Sequence, residues 1–148
     1  MSDTTSSSPA SLHAAPTIVP REKLDFGLDG DIPRHWLDND AFKTRFFDAM
    51  STLFPVGERF FITCVRDFRD QIQDPHLLQE IKDFTRQEGQ HGIVHTQYNS
   101  RLQAQGVRVD VILQRQENRL FHVLRKHLSR RFTLGVTAAA EHITAIMA

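Results

Sequence analysis

The 148-residue sequence contains a single cysteine, Cys64, together with one tryptophan and one tyrosine. One cysteine excludes a disulfide framework within the chain and any metal cluster held by several of its own thiolates. No apolar run approaches the roughly 18 residues that a membrane-spanning helix requires. The first residues, MSDTTSSSPASLHAAP, lack the basic region and the apolar core of a secretory signal. These absences predict a cytoplasmic protein.

The overall composition is that of one ordinary globular domain, with 40% apolar residues and 18 basic against 18 acidic side chains. The charges are unevenly distributed, because residues 101–131 hold eight basic and only two acidic residues. The simplest interpretation of this basic segment is a solvated helix face. The alternative is a surface for an anionic membrane or an acidic partner. No aromatic interleaving accompanies the charge, so we expect no nucleic-acid binding.

The pattern along the chain predicts a disordered tail at residues 1–20 and one helical domain at residues 21–148. The tail is rich in Ser, Thr, Ala and Pro, whereas residues 41–148 show helical periodicity without an alternating strand. The fold class is therefore expected to be all-α. The pattern continues to the last residue without a helix stop signal, so we interpret the domain as partial, ending in mid-helix.

Four helices are expected. The first begins near Ala41, and Pro55 with Gly57 should break or kink it. The second begins with Asp74 as N-cap and Pro75 at its first position, and ends near Gly106. The third covers about residues 109–128, and the fourth starts near residue 129 or 130.

The second helix carries ionisable residues on its apolar stripe, at three consecutive positions where Leu or Ile would be expected. Removing an unpaired carboxylate from water is costly, so such a stripe calls for a binding partner. Glu88 and His91 have the Glu-x-x-His spacing with which helical bundles hold metal ions. The stripe consists of Leu77, Ile81, Phe84, Glu88, His91, His95, Tyr98 and Leu102.

Two further carboxylates repeat this anomaly on other helices. Glu58 shares an apolar face with Phe61, and Glu141 lies between the small residues Ala138 and Ala145. Together with Glu88 and His91 they predict a metal site built from three helices. His95, one turn beyond His91, is either a further ligand or a histidine hydrogen-bonded beside the site.

At this point the sequence resembles a known bacterial family, the predicted metal-dependent hydrolases. The resemblance rests on STLFPVGERFF at 51–61, VRDF at 65–68 and the blocks DPHL and QEGQHGIVH within 74–95. The segment AAAEHITAIMA at 138–148 is similar to a further block of that family. The resemblance covers about residues 18–148 and implies a ferritin-like antiparallel helical bundle.

The resemblance also implies a ligand set. Glu58, Glu88, His91 and Glu141 match motif positions and would be metal ligands, with His95 as a fourth or accessory one. Members of the family are longer, and a dinuclear bundle site needs a second Glu-x-x-His, which this sequence lacks. We therefore interpret the chain as a C-terminally truncated member with an incomplete bundle. Such a chain would bind one metal weakly, complete its site in a homodimer, or be a remnant without activity.

The predicted function is that of a metal-dependent enzyme, a hydrolase by the family's description, with an unidentified small-molecule substrate. The expected cofactor is a divalent metal, with iron favoured over manganese or zinc. One alternative is a ferritin-like di-iron oxidoreductase or oxygenase. The others are a non-catalytic metal-binding protein and a helical remnant whose basic segment meets an anionic membrane surface. No residue is assigned a catalytic role beyond metal binding.

Overall fold

The computed structural model describes residues 18–28 and 30–147, so most of the predicted tail lies outside the described residues. The described part of the chain is helical without a strand, which confirms the all-α fold class. A 3₁₀ turn, Arg69–Gln71, follows the first helix, and a π-helical segment, Asn118–Leu124, lies between the third and fourth. The helices are α1 Ala41–Arg66, α2 Pro75–Ala104, α3 Val109–Glu117, α4 Arg125–His127 and α5 Arg130–Met147.

The predicted helix ends are confirmed at both ends of α2 and at the start of α1. The Asp40 carboxylate accepts hydrogen bonds from the backbone N–H groups of Phe42 and Lys43. Asp74 caps α2 in the same way through the N–H of His76. Beyond α2, Gly106 has a φ of 89°, a conformation that favours glycine and that ends the helix in a Schellman-type turn.

Of the break or kink predicted at Pro55, the break was wrong, because α1 continues through this residue. Proline has no N–H, so the carbonyl of Ser51, four residues earlier, loses its usual partner within the helix. The side chain of Asn99 on α2 supplies the missing donor, with its Nδ2 3.1 Å from the Ser51 carbonyl oxygen. The compensation comes from another helix, where a local sequence pattern does not reveal it.

Helices α1 and α2 pack antiparallel along most of their length. Asp48 contacts Tyr98, Ser51 contacts His95, and Glu58 approaches His91, so residue numbers fall on α2 as they rise on α1. The third predicted helix is present at residues 109–127 but contains the π-helical segment. It runs parallel to α1, where Phe60 packs against Phe121 and Asp67 pairs with Arg125. None of the described helices combines the length and the apolar character needed to cross a membrane.

The described residues of segment 18–40, called the lead-in below, lie along α2 without forming a helix. The backbone N–H of Arg21 donates to Gln87 Oε1 over 2.8 Å. Further along, the carbonyl of Leu28 accepts from the Arg101 side chain, and that of Ile32 accepts from Gln105. The lead-in therefore runs in the same direction as α2 and covers the helix on the side next to His91.

Candidate metal centre

The centre begins with one turn of α2. Glu88 and His91 are three residues apart, which places both side chains on one face of the helix. Glu88 is 6% exposed, and its Oε1 lies 3.7 Å from His91 Nδ1. This separation is too long for a hydrogen bond, so the two groups face each other across a short gap.

Glu58 of α1 points to the same place. Its side chain is 2% exposed, and its Oε1 lies 3.9 Å from His91 Nδ1. One ligand atom from each of Glu58, Glu88 and His91 lies within 4.8 Å of the other two. Two carboxylates and one imidazole from two helices therefore meet at one point, and this donor set suits a divalent cation.

Gly92 makes room for the Glu58 carboxylate. A Cβ atom at this position would lie 3.1 Å from Glu58 Oε2, which is closer than an ordinary van der Waals contact. Glycine in a helix interior costs about 0.5–1 kcal/mol relative to alanine, so its presence here calls for a packing reason. The close approach of Glu58 supplies that reason.

A cavity of about 410 Å³ between α1, α2 and α5 brings together the five predicted site residues. Glu141 of α5 lies outside the close group of three, and its buried Oε1 has no hydrogen-bond partner. His95 lines the same cavity from α2. The lining thus includes Glu58, Glu88, His91, His95 and Glu141.

The carboxylates of this cavity lack the partners that buried charges require. Both oxygens of Glu58 are buried without a hydrogen bond from any residue that the structure describes. Burial, together with the charges of Glu88 and Glu141, raises the pKa of Glu58 to about 8 against the opposing effect of His91. Burial, and then the charge of Glu88, raise the pKa of Glu141 to about 7. A divalent cation fits this site because it would satisfy the unpartnered oxygens and offset their mutual repulsion.

Gln87 forms a hydrogen bond with the ring nitrogen of His91 that faces away from Glu58 and Glu88. Its Nε2 lies 2.9 Å from His91 Nε2. An amide nitrogen only donates, so His91 Nε2 accepts and the ring proton lies on Nδ1, facing Glu58 and Glu88. The contact with Glu88 is the main cause that raises the pKa of His91, and burial opposes it. A metal ion between these residues would take the place of that proton.

His95 is held differently. Its ring stacks on Phe54 with the centroids 4.4 Å apart, and its Nδ1 lies 3.0 Å from Ser51 Oγ. Burial, and then the nearby His91, lower the pKa of His95 to about 4. The imidazole is therefore neutral at physiological pH and keeps one ring nitrogen unprotonated.

A chain of hydrogen bonds determines which nitrogen that is. Asn99 Nδ2 donates to the Ser51 carbonyl that Pro55 leaves free, so Asn99 Oδ1 faces the Ser51 hydroxyl, 3.0 Å away. The hydroxyl donates its single proton to Oδ1 and must accept from His95 Nδ1. The proton of His95 thus lies on Nδ1, and the lone pair of Nε2 is available as a metal ligand or a proton acceptor.

One protein family matches almost the whole chain. Its model covers residues 20–148 and describes a predicted metal-dependent hydrolase. The chain belongs to this family. The match includes the five predicted site residues and confirms the resemblance identified from the sequence blocks. Searches of curated proteins and of solved structures found no match.

Sequence reasoning missed the residues that support this centre. Gln87, Gly92 and Asn99 all lie off the apolar stripe of α2, and Ser51 lies within the long helix α1 without a charge or a motif to mark it. Only Gly92 carries a local signal, since glycine is unfavourable in mid-helix. The roles of the other three depend on which residues α1 brings opposite them.

Proposed function

We propose that this member of the predicted metal-dependent hydrolases binds a divalent metal ion at Glu58, Glu88 and His91 and uses it for hydrolysis. The observation that carries the proposal is the Glu58 carboxylate, buried with neither oxygen hydrogen-bonded and with Glu88 and His91 beside it. A fold does not hold such a group without compensation. Glu141 and His95 line the same cavity, outside this close group of three.

The donor set favours iron or manganese. Glu58 and Glu88 supply oxygen ligands, His91 supplies a nitrogen, and the single cysteine, Cys64, is not among the described residues that line the cavity. Zinc in proteins is typically held by His and Cys, although carboxylates also occur in its catalytic sites. We therefore propose iron as the resident metal and retain manganese and zinc as alternatives.

When bound, the metal supplies Lewis acidity, which polarises a substrate carbonyl or phosphoryl oxygen and lowers the pKa of water. The remaining tasks belong to side chains. Glu141 Oε1 has no hydrogen-bond partner, and its pKa of about 7 suits proton transfer near neutrality. His95 Nε2 is the second proton acceptor, fixed in its tautomer by Ser51. We propose Glu141 as the general base and His95 as a ligand or an orienting neighbour.

A ferritin-like di-iron oxidase is the second candidate. Carboxylates from three helices around one Glu-x-x-His are the kind of ligands that carboxylate-bridged iron pairs use. Metal stoichiometry and redox behaviour separate the two candidates. Two irons per chain with dioxygen consumption favour the oxidase, whereas one metal per chain and turnover supported by redox-inert zinc favour the hydrolase.

The first test is the metal content of the purified full chain by elemental mass spectrometry, before and after reconstitution with iron, manganese or zinc. We expect one metal ion per chain, lost in Glu88→Gln and in His91→Ala. His76→Ala and Glu80→Gln are matched controls, because both residues lie on α2 outside the cavity. Metal retained in the first two variants, or absent from a folded and reconstituted parent, would overturn the proposal.

Activity is tested on the same samples with carboxylic ester and phosphoester substrates. Turnover should disappear on chelation and return with metal. Glu141→Gln should bind metal but lose most of its hydrolysis, if Glu141 accepts the proton. Unchanged hydrolysis in Glu141→Gln would rule out that role.

A further inference from the structure

A second and larger cavity adjoins the metal centre. It has a volume of about 720 Å³ and lies between the lead-in, α1 and α2. Nine apolar side chains from all three elements line it, including Leu28, Ile32, Phe47 and Val94. Its size is within the range of small-molecule sites in proteins. We call this cavity the apolar slot.

The slot is elongated along α2. Its lining on that helix extends from Gln87 to Tyr98, eleven residues apart, which corresponds to about 16 Å of helix. The lead-in runs beside the same stretch, because its backbone is hydrogen-bonded to Gln87 at one end and to Gln105 beyond the other. A long and narrow ligand therefore matches the slot better than a round one.

Most polar groups on the slot wall already have partners within the protein. Tyr98 and Trp36 both donate to Asp48, Ser51 is bonded to Asn99, and Gln87 is bonded to Arg21 and His91. No acidic side chain is among the described residues that line the slot. Along its length the slot thus offers a ligand mainly apolar contact.

Basic side chains lie at the end of the slot next to Gln87. Arg21 belongs to the slot lining, and its backbone is bonded to Gln87, which contacts His91. His91 and, one turn further along, His95 line both the slot and the metal cavity, so the two cavities share a wall there. This end therefore combines a basic residue with a wall shared with the metal centre.

We propose that the slot binds the acyl chain of a long-chain carboxylic acid or its derivative, with the carboxyl group at the end formed by Arg21 and His91. This assignment of a substrate class rests on the proposed hydrolase function of the same site. The apolar wall selects the chain, and the guanidinium favours a carboxylate or a polarised carbonyl. Short acids lack the chain that the wall would bury.

Binding is measured on the full chain with cis-parinaric acid, a fluorescent long-chain acid, and by its displacement. The single tryptophan, Trp36, lines the slot, so energy transfer from Trp36 to the probe reports binding to the chain, and variants then locate the bound probe. Dodecanoate should displace the probe, whereas butanoate should not. Equal displacement by butanoate, or no energy transfer on binding, would overturn the proposal.

Two pairs of variants locate the ligand, with the probe excited directly. Val94→Trp fills the slot and should weaken binding by about tenfold or more, whereas Leu77→Trp, on an exposed part of the same helix, should not. Arg21→Gln should weaken the binding of dodecanoate several-fold and leave the binding of dodecan-1-ol unchanged. Arg66→Gln, at an exposed position, is the control. Unaltered binding in Val94→Trp or in Arg21→Gln would contradict the respective part of the proposal.

The metal content of each sample separates this proposal from the function on which it rests. A parent that binds metal but not parinaric acid refutes the slot and leaves the hydrolase proposal standing. A parent that binds the acid but cannot be loaded with metal refutes the hydrolase proposal instead. Val94→Trp should keep the parent's metal content, because Val94 does not line the metal cavity.

Discussion

Two buried acids on α1, Asp48 and Glu58, show opposite ways of keeping a carboxylate out of water. Asp48 is 4% exposed and Glu58 is 2% exposed. Asp48 accepts hydrogen bonds from Trp36, Tyr98 and Arg45. Glu58 accepts none and faces two further carboxylates.

The difference assigns the two acids to different tasks. The Asp48 carboxylate ties the lead-in to α1 and α2, because its three donors come from these three elements. Such a satisfied network contributes to a unique fold. The Glu58 carboxylate forms no hydrogen bond to another described element, so it destabilises the metal-free chain. The two acids are equally buried, so the presence or absence of hydrogen bonds to the carboxylate is what distinguishes a structural acid from a candidate metal ligand in this molecule.

The largest expected effect comes from removing the structural acid. Asp48→Ala leaves the partly buried donors of Trp36 and Tyr98 and the charge of Arg45 without their acceptor, which should lower the free energy of unfolding by about 3 kcal/mol. For a chain of this length, this is a fall in Tm of roughly 2–4 °C per kcal/mol. Urea and thermal unfolding measure it, with the exposed Asp70→Ala as control. A loss below that of Asp70→Ala would remove the distinction between the two acids.

Metal binding should stabilise the folded chain, and this stabilisation should depend on Glu58 and not on Asp48. A free metal concentration about 100-fold above Kd adds about 2.7 kcal/mol to the free energy of unfolding. We expect this increment in the parent and in Asp48→Ala, but not in Glu58→Gln. Thermal unfolding with and without metal measures all three. An equal increment in Glu58→Gln would show that Glu58 does not hold the metal.

The metal-free chain should lose stability as the pH rises towards 8. Glu58 has a pKa of about 8 in the folded chain and 4.5 as its ordinary value, so between these values only the folded chain holds the proton, and raising the pH favours unfolding. Glu141 and His91, whose pKa values are also raised, act in the same direction. The pKa of His95 is lowered from 6.5 to about 4, so this residue makes stability rise with pH, but only below about pH 6.5.

Glu58→Gln tests this pH dependence. The variant should show a shallower decline in the urea midpoint between about pH 6.5 and pH 8 in the presence of a chelator, and should exceed the parent in stability at the upper end. The same variant loses the metal increment, so stability and binding change in opposite directions. A parent whose midpoint rises over this interval would contradict the raised pKa of Glu58.

A smaller effect is expected from the hydrogen bonds behind His95. Ser51→Ala removes the acceptor that fixes the proton on His95 Nδ1, and the loss of such a supporting bond typically costs about 10–100-fold in metal affinity. Metal titration measures it, with Ser100→Ala as control, because Ser100 bonds only to the backbone of its own helix on an exposed surface. Equal affinities in the two variants would place His95 outside the ligand set.

The helical period explains what the sequence made predictable. Glu88 and His91 share a face because of their spacing alone, and the caps at Asp40, Asp74 and Gly106 are local signals. The close group of Glu58, Glu88 and His91 follows from apolar faces that must pack against each other. The sequence therefore indicates the helices, their starts and the ionisable residues of the site.

The features that the sequence did not reveal depend on which residues of two helices lie opposite each other and on backbone that has no repeating pattern. Pro55 stays within α1 because Asn99 happens to lie opposite Ser51, and no local pattern contains that pairing. The apolar stripe of α1 centres on the fully buried Phe60 and Cys64, whereas the expected Phe61 is only half-buried. The apolar slot depends on the lead-in, whose path is fixed by side chains of α2 rather than by its own period.

Gly92 offers the finest test of the comparison, because it separates helix propensity from the needs of Glu58. Gly89→Ala, one residue after Glu88, meets open space and should raise the free energy of unfolding by about 0.5–1 kcal/mol. Gly92→Ala has the same intrinsic gain but brings its Cβ to 3.1 Å from Glu58 Oε2, so the carboxylate must shift by a few tenths of an ångström. We expect a smaller stability gain and a several-fold weaker metal affinity than in Gly89→Ala, measured by urea unfolding and metal titration. Identical affinities in the two variants would mean that the metal tolerates displacement of Glu58, and Glu58 would then be an outer neighbour of the ion rather than its ligand.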